Sequence, residues 1–330
     1  MSTLNVAQLS HAANSGDPNI ELNADGSTSL RNFQAESING SQVGGFRNQL
    51  INGSLLCWQR GSSVIASNSG DYTADRWFGN GGANYARINF KDPDEGPVGF
   101  AYGVSKGEAT AAFAQMIELP NNGDGSPFDI GTVWTASYWT NGDDHEGAEA
   151  KIQFMDTVEG GNVVLAAPET TYEKTGEESN GYFRVSATFT INDSPDSSNL
   201  GLRFNAANVA GQMTGFQLEP GPVATPFEHR SYGTELQLCQ RFYYDLTSGG
   251  NLISSVYKCN LFRSDPTVGR GMHITFPVTM RATPTISATI VSGTLDNTFA
   301  CFTGVGIRAS ATSNNSASTA LSALTADAEL

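Results

Sequence analysis

The sequence predicts an all-β protein, with a jelly-roll-like β-sandwich, a smaller C-terminal β domain and an extended N-terminal arm. Glycine supplies 36 of the 330 residues and charged residues only 15%, which is typical of short strands joined by many turns. Apolar and polar residues alternate with a period of two through most of the chain, and Gly, Pro, Asn or Asp separate the alternating runs. The length is sufficient for two domains with a substantial core.

Residues 1–45 predict an arm that cannot form a core alone, because they contain few large apolar side chains. Residues 19–23 alternate like a strand and residues 24–27 are a turn sequence, so we expect a small hairpin or an extended arm. Two interpretations are open. In the first, the arm is an anchor that attaches the protein to a larger assembly or winds with two copies of itself. In the second, it is a partly disordered terminus.

Residues 46–230 predict the sandwich. About eight to ten strands separated by turns, without a helix-length apolar pattern, indicate two packed sheets. Phe216 and Leu218 belong to the last of these strands. The other predicted strands are 50–55, 85–90, 112–119, 132–139, 150–155, 162–166, 182–191 and 201–204.

An extended segment and a short helix follow the last sandwich strand. Three prolines between residues 220 and 226 remove ladder donors and favour extended backbone, so the segment should leave its sheet and follow a surface. Residues 234–242 predict the helix, with Leu236, Leu238 and Cys239 on roughly one face.

Residues 231–330 predict the C-terminal β domain, which begins with that helix. The tail after residue 312 is small and polar, and Leu321 and Leu324 give it one weak helical or strand face. So few apolar residues make a marginal core, for which self-association is the natural remedy. The predicted strands are 251–257, 272–276, 285–290, 297–302 and 306–311.

The charge balance and hydropathy exclude two classes of partner. A formal net charge of −15 provides no basic surface for nucleic-acid phosphates. No basic N-terminal run precedes an apolar core, and no apolar stretch reaches about 18 residues, so we expect neither a signal peptide nor membrane insertion.

The cysteines predict buried thiols. They are Cys57, Cys239, Cys259 and Cys301. No CxxC pair or histidine spacing typical of zinc accompanies them. Their apolar neighbours favour free thiols over disulfides, which suits assembly in a reducing cytoplasm.

Five stretches resemble tail-fibre and other appendage proteins of tailed bacteriophages. They are NQLINGSLLCWQRG, YTADRW, GFQLEPGPVATPFEHRSYGTELQLCQRFYY, FPVTMRATPTI and TADAEL. The resemblance implies a non-enzymatic homotrimer on the virion, assembled in the host cytoplasm, that binds host surface polysaccharide and attaches to tail or capsid proteins through residues 1–45. The predicted sandwich also looks like the carbohydrate-binding modules of phage fibres and polysaccharide-degrading enzymes.

Two alternatives to this function stay open. The first is a structural particle component, such as a head fibre, capsid decoration or tail connector, that uses the sandwich as a spacer. The second is an enzyme that degrades host polysaccharide. The 33 acidic residues do not single out the carboxylate pair that a glycosidase needs.

No motif predicts a catalytic or metal centre. No histidine has a Ser, Cys or Asp partner in a recognisable triad context. Acidic turns at 92–95, 143–149 and 177–178 could offer oxygen ligands to calcium, but they lack the spacing of a dedicated loop. The sequence therefore indicates no cofactor. The four histidines are His11, His145, His229 and His273.

Two polar motifs predict structural clasps. The first consists of Asp75, Arg76 and Trp77. It could form a sugar platform or an internal ion pair that supports a core indole, and its fixed place in the resembling proteins favours the core. The second consists of Glu228, His229 and Arg230. It should fasten the extended segment to the next domain.

Candidate sugar contacts are aromatic residues next to predicted turns, because sugar binding needs flat aromatic faces beside polar groups. Period-two alternation does not separate exposed rings from buried ones here, so core packing is the alternative for each. The candidates are Phe100, Tyr102, Tyr257, Phe262 and Phe299.

Overall fold

The all-β prediction is confirmed by a computed structural model in which antiparallel strands form almost all regular structure. One short helix lies among the residues that the structure describes. These residues are 8–9, 20–22, 28–30, 37–38, 41–42, 46–66, 71–79, 83–92, 94–106, 113–119, 127–142, 150–155, 162–163, 173–193, 199–206, 211–245, 257–258, 270–292, 295–309 and 320–329.

The described part of the N-terminal arm consists of short strands. They are β1 (Gln8–Leu9), β2 (Ile20–Leu22), β3 (Thr28–Leu30), β4 (Ser37–Ile38) and β5 (Ser41–Gln42). Strands β2 and β3 pair antiparallel, with Ile20 opposite Leu30. The hairpin expected around residues 24–27 is therefore present.

Two antiparallel sheets form the sandwich. The first has the order β15-β16-β12-β18-β10-β9-β6 and the second β14-β13-β17-β11-β8-β7. The strands are β6 (Ser63–Ala66), β7 (Asp71–Tyr72), β8 (Trp77–Gly79), β9 (Ala83–Asn89), β10 (Tyr102–Lys106), β11 (Phe113–Glu118), β12 (Val133–Thr140), β13 (Ala150–Met155), β14 (Asn162–Val163), β15 (Glu173–Ser179), β16 (Tyr182–Thr190), β17 (Asn199–Ala206) and β18 (Gly211–Pro220).

The core of the sandwich is built around Trp77. Its indole stacks on Phe113 at 4.8 Å between ring centroids and contacts Phe216 at 4.6 Å. Phe113 comes from one sheet and Phe216 from the other, so the rings join the two layers. All three side chains are fully buried, and each ring burial of this kind removes roughly 150–250 Å² from water.

Residues 50–55 are not the strand that their alternation predicts. They form turns, because Asn52 and Leu55 take positive φ angles of 58° and 56°. Gly53 lies so close to β18 that a Cβ there would be 2.1 Å from the Phe216 carbonyl oxygen. The Phe216 backbone donates to the Gly53 carbonyl at 2.9 Å, so the turns pack directly against the sandwich.

The segment after β18 follows a surface, as its prolines predict. It crosses the outer face of the seven-stranded sheet, where Thr135 Oγ1 donates to the Gly221 carbonyl at 2.7 Å. Arg184 donates to the Thr225 carbonyl at 2.6 Å, and the Thr225 backbone donates to Glu219 at 2.9 Å. The segment thereby buries the polar outer face and supplies carbonyl acceptors to Thr135 and Arg184.

The helix α1 (Tyr232–Gln240) begins two residues earlier than the sequence predicts, because Ser231 caps it by accepting from the Thr234 backbone at 3.3 Å. Its buried residues are Glu235 and Cys239, four positions apart. The prediction of a buried face formed by Leu236, Leu238 and Cys239 is wrong. Cys239 is buried together with Glu235, whereas the two leucines are only partly buried.

The C-terminal β domain contains two sheets. The strands are β19 (Tyr243–Asp245), β20 (Tyr257–Lys258), β21 (Arg270–Thr275), β22 (Thr285–Ser292), β23 (Leu295–Cys301), β24 (Gly304–Ala309) and β25 (Ala320–Asp327). Strand β25 pairs with β19, β20 and β22, and β24 lies between β21 and β23. The described strand of the tail, Ala320–Asp327, is therefore a central strand. A small cluster forms the described core: Phe276, Met280, Val305, Leu324, Ala326 and Ala328.

None of the described helical residues forms a span long and apolar enough to cross a bilayer.

Candidate functional site

Arg76 connects the sandwich to the end of the chain. It occupies a tight turn in which the Trp77 backbone donates to the Ala74 carbonyl at 2.8 Å, and its φ is +73°. Trp77 thereby points into the core, while the Arg76 guanidinium pairs with Glu329 and lies 3.5 Å from the centroid of the Phe242 ring. Arg76 is 1% exposed, so this ion pair is shielded from water.

Arg60 makes a parallel set of contacts. Its guanidinium lies 3.3 Å from both Asp327 and Glu329 and 3.9 Å from Asp75. It also lies 3.5 Å from the centroid of the Tyr243 ring. Burial alone would lower the pKa of Arg60, but the three carboxylates outweigh it and raise that pKa. Arg60 therefore stays cationic.

Asp75 is fully buried, and its two oxygens accept from the Gln59 backbone at 3.0 Å and the Gln59 side chain at 2.8 Å. Burial raises the pKa of Asp75 to about 6, against the opposing effects of Gln59 and Arg60. The predicted ion pair between Asp75 and Arg76 is therefore absent from the described part of the chain, because Asp75 bonds to Gln59 and Arg76 pairs with Glu329. Trp77 does supply the core indole, as predicted.

Asn52 holds this region together, and sequence reasoning missed it. Its side chain donates to the carbonyls of Cys57 at 2.9 Å and Asp75 at 3.0 Å. Its backbone donates to Glu235 on the helix at 2.8 Å and accepts from the Trp77 indole at 3.0 Å. The only sequence signal is the Asn-Gly pair, which marks a turn.

The second predicted clasp places Glu228 and Arg230 between three segments. Glu228 accepts from the Asn48 backbone at 2.8 Å. Arg230 donates to the Leu50 carbonyl at 3.1 Å and to Glu235 at 3.4 Å. These contacts tie the extended segment to the start of the sandwich and to the helix.

His229 makes a different contact from its two neighbours. Its ring packs 5.2 Å from Phe100 and 4.9 Å from Phe227. Burial lowers its pKa, so packing against aromatic rings, rather than a polar clasp, describes this residue.

The five sequence stretches from NQLINGSLLCWQRG to TADAEL all contribute to one place, which we call the junction. FPVTMRATPTI contributes Arg281, whose backbone donates to the Arg241 carbonyl at 2.8 Å and whose side chain donates to the Ala328 carbonyl at 3.2 Å. The junction consists of Asn52, Gln59, Arg60, Asp75, Arg76, Glu228, Arg230, Glu235, Arg241, Phe242, Tyr243, Arg281, Asp327 and Glu329.

The predicted sugar contacts lie in several places. Phe100 is 9% exposed and its ring packs 4.9 Å from that of Phe227. The ring is therefore part of the interior and offers no face to a sugar. Tyr102 is half-buried, with the Arg87 guanidinium 5.1 Å from its ring centroid. The side chains of Tyr257 in β20 and Phe299 in β23, and all of Phe262, lie outside the described residues and stay predictions.

The turn between β23 and β24 exposes an aromatic ring that the sequence analysis missed. Phe302 is 51% exposed. The turn is fixed, because the Met280 backbone donates to the Phe302 carbonyl at 2.8 Å and the Phe276 backbone donates to the Thr303 carbonyl at 2.9 Å. The turn sequence Phe-Thr-Gly is the signal that could have found it.

Exposed polar groups lie beside that turn on β21. His273 and Thr275 are both exposed, and Thr275 is in register with Gly304 at the end of the turn. His273 lies close above Gly304, where an added Cβ would come within 2.6 Å of its ring. We call His273, Thr275, Phe302 and Thr303 the hairpin patch.

The cysteines differ from their common prediction. Cys57 and Cys239 are buried free thiols, as expected, and lie with Asp75 in a group whose candidate ligand atoms are all within 4.8 Å of one another. Cys301 is exposed, because it lies at the end of an open hairpin, and hydrogen bonds with Thr303 lower its pKa. Cys259 lies outside the described residues.

No protein-family model and no curated protein matches the chain. Among solved structures it is similar to a candidate sugar-binding protein from Bacteroides thetaiotaomicron VPI-5482, at 10% identity and a TM-score of 0.29, over 52% of this chain and 99% of the other. It is also similar to TmCBM61 in complex with β-1,4-galactotriose, at 15% identity and a TM-score of 0.29, over 53% of this chain and 99% of the other. A third similar structure is the CBM22-1 xylan-binding domain of Paenibacillus barcinonensis Xyn10C, at 12% identity and a TM-score of 0.28, over 48% of this chain and 93% of the other. Similarities of this size carry no argument about function.

Proposed function

We propose that the protein is a non-catalytic appendage of a phage particle that binds a glycan on the host surface. The observation that carries this proposal is the convergence of all five phage-appendage-like stretches on the junction. The resemblance therefore concerns one physical device, a joint between a β-sandwich and a C-terminal β domain, rather than scattered similarities of composition.

The contacts of the junction suit an appendage, which must hold a terminal domain in a fixed direction. Arg76 and Glu329 are both nearly buried, with 1% and 5% of their side-chain surface exposed. Removing one partner of such a pair costs about 3–5 kcal/mol, because the other charge is left without compensation. Bending the joint would expose or separate these charges, so the two domains move as one unit.

The hairpin patch is the described surface that best fits a sugar. The exposed ring of Phe302 offers a flat apolar face to sugar C–H groups, while Thr275, Thr303 and His273 provide hydrogen-bonding groups beside it. Since backbone hydrogen bonds already fix the turn, binding would cost little ordering of the protein. A shallow patch of this size binds one or two sugar units weakly.

Weak contacts become useful when several act together, and we propose a homotrimer for that reason. The described core of the C-terminal domain is small, and the apolar side chains of Ile286 and Ala288 on β22 remain partly exposed. Contacts with the sandwich through the junction stabilise this small core in part, and apolar contacts with sister copies would supply the remaining stabilisation. Linked sites can gain about 10²–10⁴ in avidity. Residues 1–45 would face other virion proteins.

Two matched variants test the glycan proposal. Phe302→Ala removes the ring of the hairpin patch, and Tyr232→Ala removes a ring that is 57% exposed at the start of α1. We expect Phe302→Ala, but not Tyr232→Ala, to reduce retention of the protein on envelope polysaccharide from bacteria to which the particle adsorbs. Equal retention of both variants would reject the patch.

Three further measurements separate the alternatives. Light scattering of the purified protein should give the mass of three chains. Labelled antibody should mark the tail of the virion. Labelling of the capsid, together with failure of the soluble protein to compete with the virion for adsorption, would indicate a structural component. Release of reducing sugar from the polysaccharide, abolished by a single carboxylate substitution, would indicate an enzyme.

A further inference from the structure

We propose that Cys57, Asp75 and Cys239 form a binding site for a soft divalent cation of the zinc class. The two sulfur atoms and a carboxylate oxygen all lie within 4.8 Å of one another, and all three residues are buried. Thiolate sulfur and carboxylate oxygen are both zinc ligands, and thiolates select zinc-like ions over magnesium or calcium. This site is independent of the proposed glycan binding.

The three ligands come from different parts of the fold. Cys57 follows the Asn52 turn, Asp75 lies in the turn before β8, and Cys239 is in the last turn of α1. No sequence spacing could indicate such a site, because Cys57 and Cys239 are far apart in the chain and come together only when the helix packs against the sandwich. An ion there would tie the helix that opens the C-terminal domain to two loops of the sandwich.

The distances are compatible with coordination after a small contraction. Ligand atoms around a tetrahedral zinc ion are about 3.5–3.8 Å apart, given bonds of about 2.3 Å to sulfur and 2.0–2.2 Å to oxygen. Separations of at most 4.8 Å therefore require each pair of ligand atoms to approach by at most about 1.0–1.3 Å. A tetrahedral zinc ion takes one further ligand besides these three.

The net charge of the occupied site is small. Two thiolates, one carboxylate and a divalent ion sum to a charge of −1. Arg60 lies 3.9 Å from Asp75 and shares its positive charge with Asp327 and Glu329. Because metal ions bind thiolates and displace the thiol protons, binding strengthens as pH rises.

A Cys57–Cys239 disulfide is the main competing outcome for the same two sulfurs. It would need an oxidant that takes two electrons and two protons, such as oxidised glutathione. It would make no use of Asp75, whereas coordination requires a third ligand. The carboxylate beside the thiols therefore favours the ion, and the role of Asp75 distinguishes the two outcomes experimentally.

The test uses full-length protein with Cys259→Ser and Cys301→Ser, so that only the buried pair remains. Reduced, chelator-treated protein is titrated with Co²⁺, which gives sulfur-to-metal charge transfer and visible bands of tetrahedral cobalt when thiolates bind it, and then with Zn²⁺ as competitor. We expect one ion per chain, displaced by Zn²⁺. Asp75→Asn should weaken Co²⁺ binding by more than about tenfold, whereas the matched change Asp129→Asn at an exposed carboxylate should not.

Three results would overturn the proposal. The first is the absence of a cobalt spectrum while two free thiols are titrated per chain. The second is an Asp75→Asn protein that binds Co²⁺ as well as its parent. The third is loss of both thiols under oxidised glutathione without any metal uptake by the reduced protein, which would assign the pair to a disulfide. Because the cobalt titration and thiol count use the parent protein, neither depends on a further variant folding.

Discussion

Arg76 and Glu329 stand 253 positions apart in the chain and form a buried ion pair. Arg76 occupies the turn that directs Trp77 into the sandwich core, and Glu329 follows the central strand of the C-terminal domain. The pair therefore fixes the end of the chain against the first domain. Because the Arg76 guanidinium also lies over Phe242, it stabilises the start of the second domain as well.

Glu329→Gln should lower the free energy of unfolding by about 3 kcal/mol, because it leaves the buried Arg76 charge uncompensated. Denaturant unfolding followed by tryptophan fluorescence measures the change. The matched control is Glu118→Gln, which breaks the more exposed pair with Arg241, whose side chains are 32% and 41% exposed. The control should change stability by less than about 1 kcal/mol, and equal effects at both sites would contradict the assignment.

Gly53→Ala should destabilise the protein by about 1–3 kcal/mol, since the added methyl group would meet the Phe216 carbonyl oxygen at 2.1 Å. Gly233→Ala is the matched control, because a methyl group added there would have no atom within 4 Å. Gly233 also lies in helix α1, where alanine is the better helix former. There we expect a gain of up to about 1 kcal/mol. Thermal unfolding distinguishes the two, and a neutral Gly53→Ala would show that the turn can shift away from Phe216.

Asp75 should make stability fall as pH rises from about 4 to 6. Burial raises its folded pKa to about 6 from the ordinary 3.8, so the native state holds more protons than the unfolded state in that window. The stability contributed below pH 4 is lost as pH passes the folded pKa, by about 3 kcal/mol in total. Unfolding curves in chelator, compared with Asp75→Asn, should show this difference.

The same comparison with Asp129→Asn provides the control, because Asp129 is exposed. Its curve should follow the wild type at every pH. A wild-type protein whose stability difference from Asp75→Asn stays constant between pH 4 and 7 would refute the pKa shift of the buried carboxyl.

Cys301 should react with alkylating reagents much faster than Cys57 or Cys239. It is exposed and hydrogen bonds with Thr303 lower its pKa, whereas the other two thiols are buried. In a Cys259→Ser background, native protein should show one fast thiol, and Cys301→Ser should remove it. Fast modification of two or three thiols before unfolding would mean that the helix does not stay on the sandwich.

The interior of the sandwich was largely predictable. Alternation in stretches such as 132–139 and 182–191 predicts strands, because successive side chains in a strand point to opposite faces. It does not report burial in β12, where both faces are largely buried because the segment after β18 covers the outer one. Residues 50–55 alternate just as clearly but form turns, since positive φ angles at Asn52 and Leu55 override the pattern. Strand β15 escaped prediction for the opposite reason, because nearly all its side chains are exposed and no alternation marks it.

The sequence by itself determined the all-β class, the extended path after β18 and the place of the short helix, because these depend on local preferences of neighbouring residues. Only the tertiary structure decided that Glu329 is the partner of Arg76, that Cys57 and Cys239 meet at Asp75, and that the ring of Phe302 is exposed. Those facts depend on which distant segments pack together and exclude water, and side-chain period or spacing along one strand carries no information about a partner more than a hundred residues away.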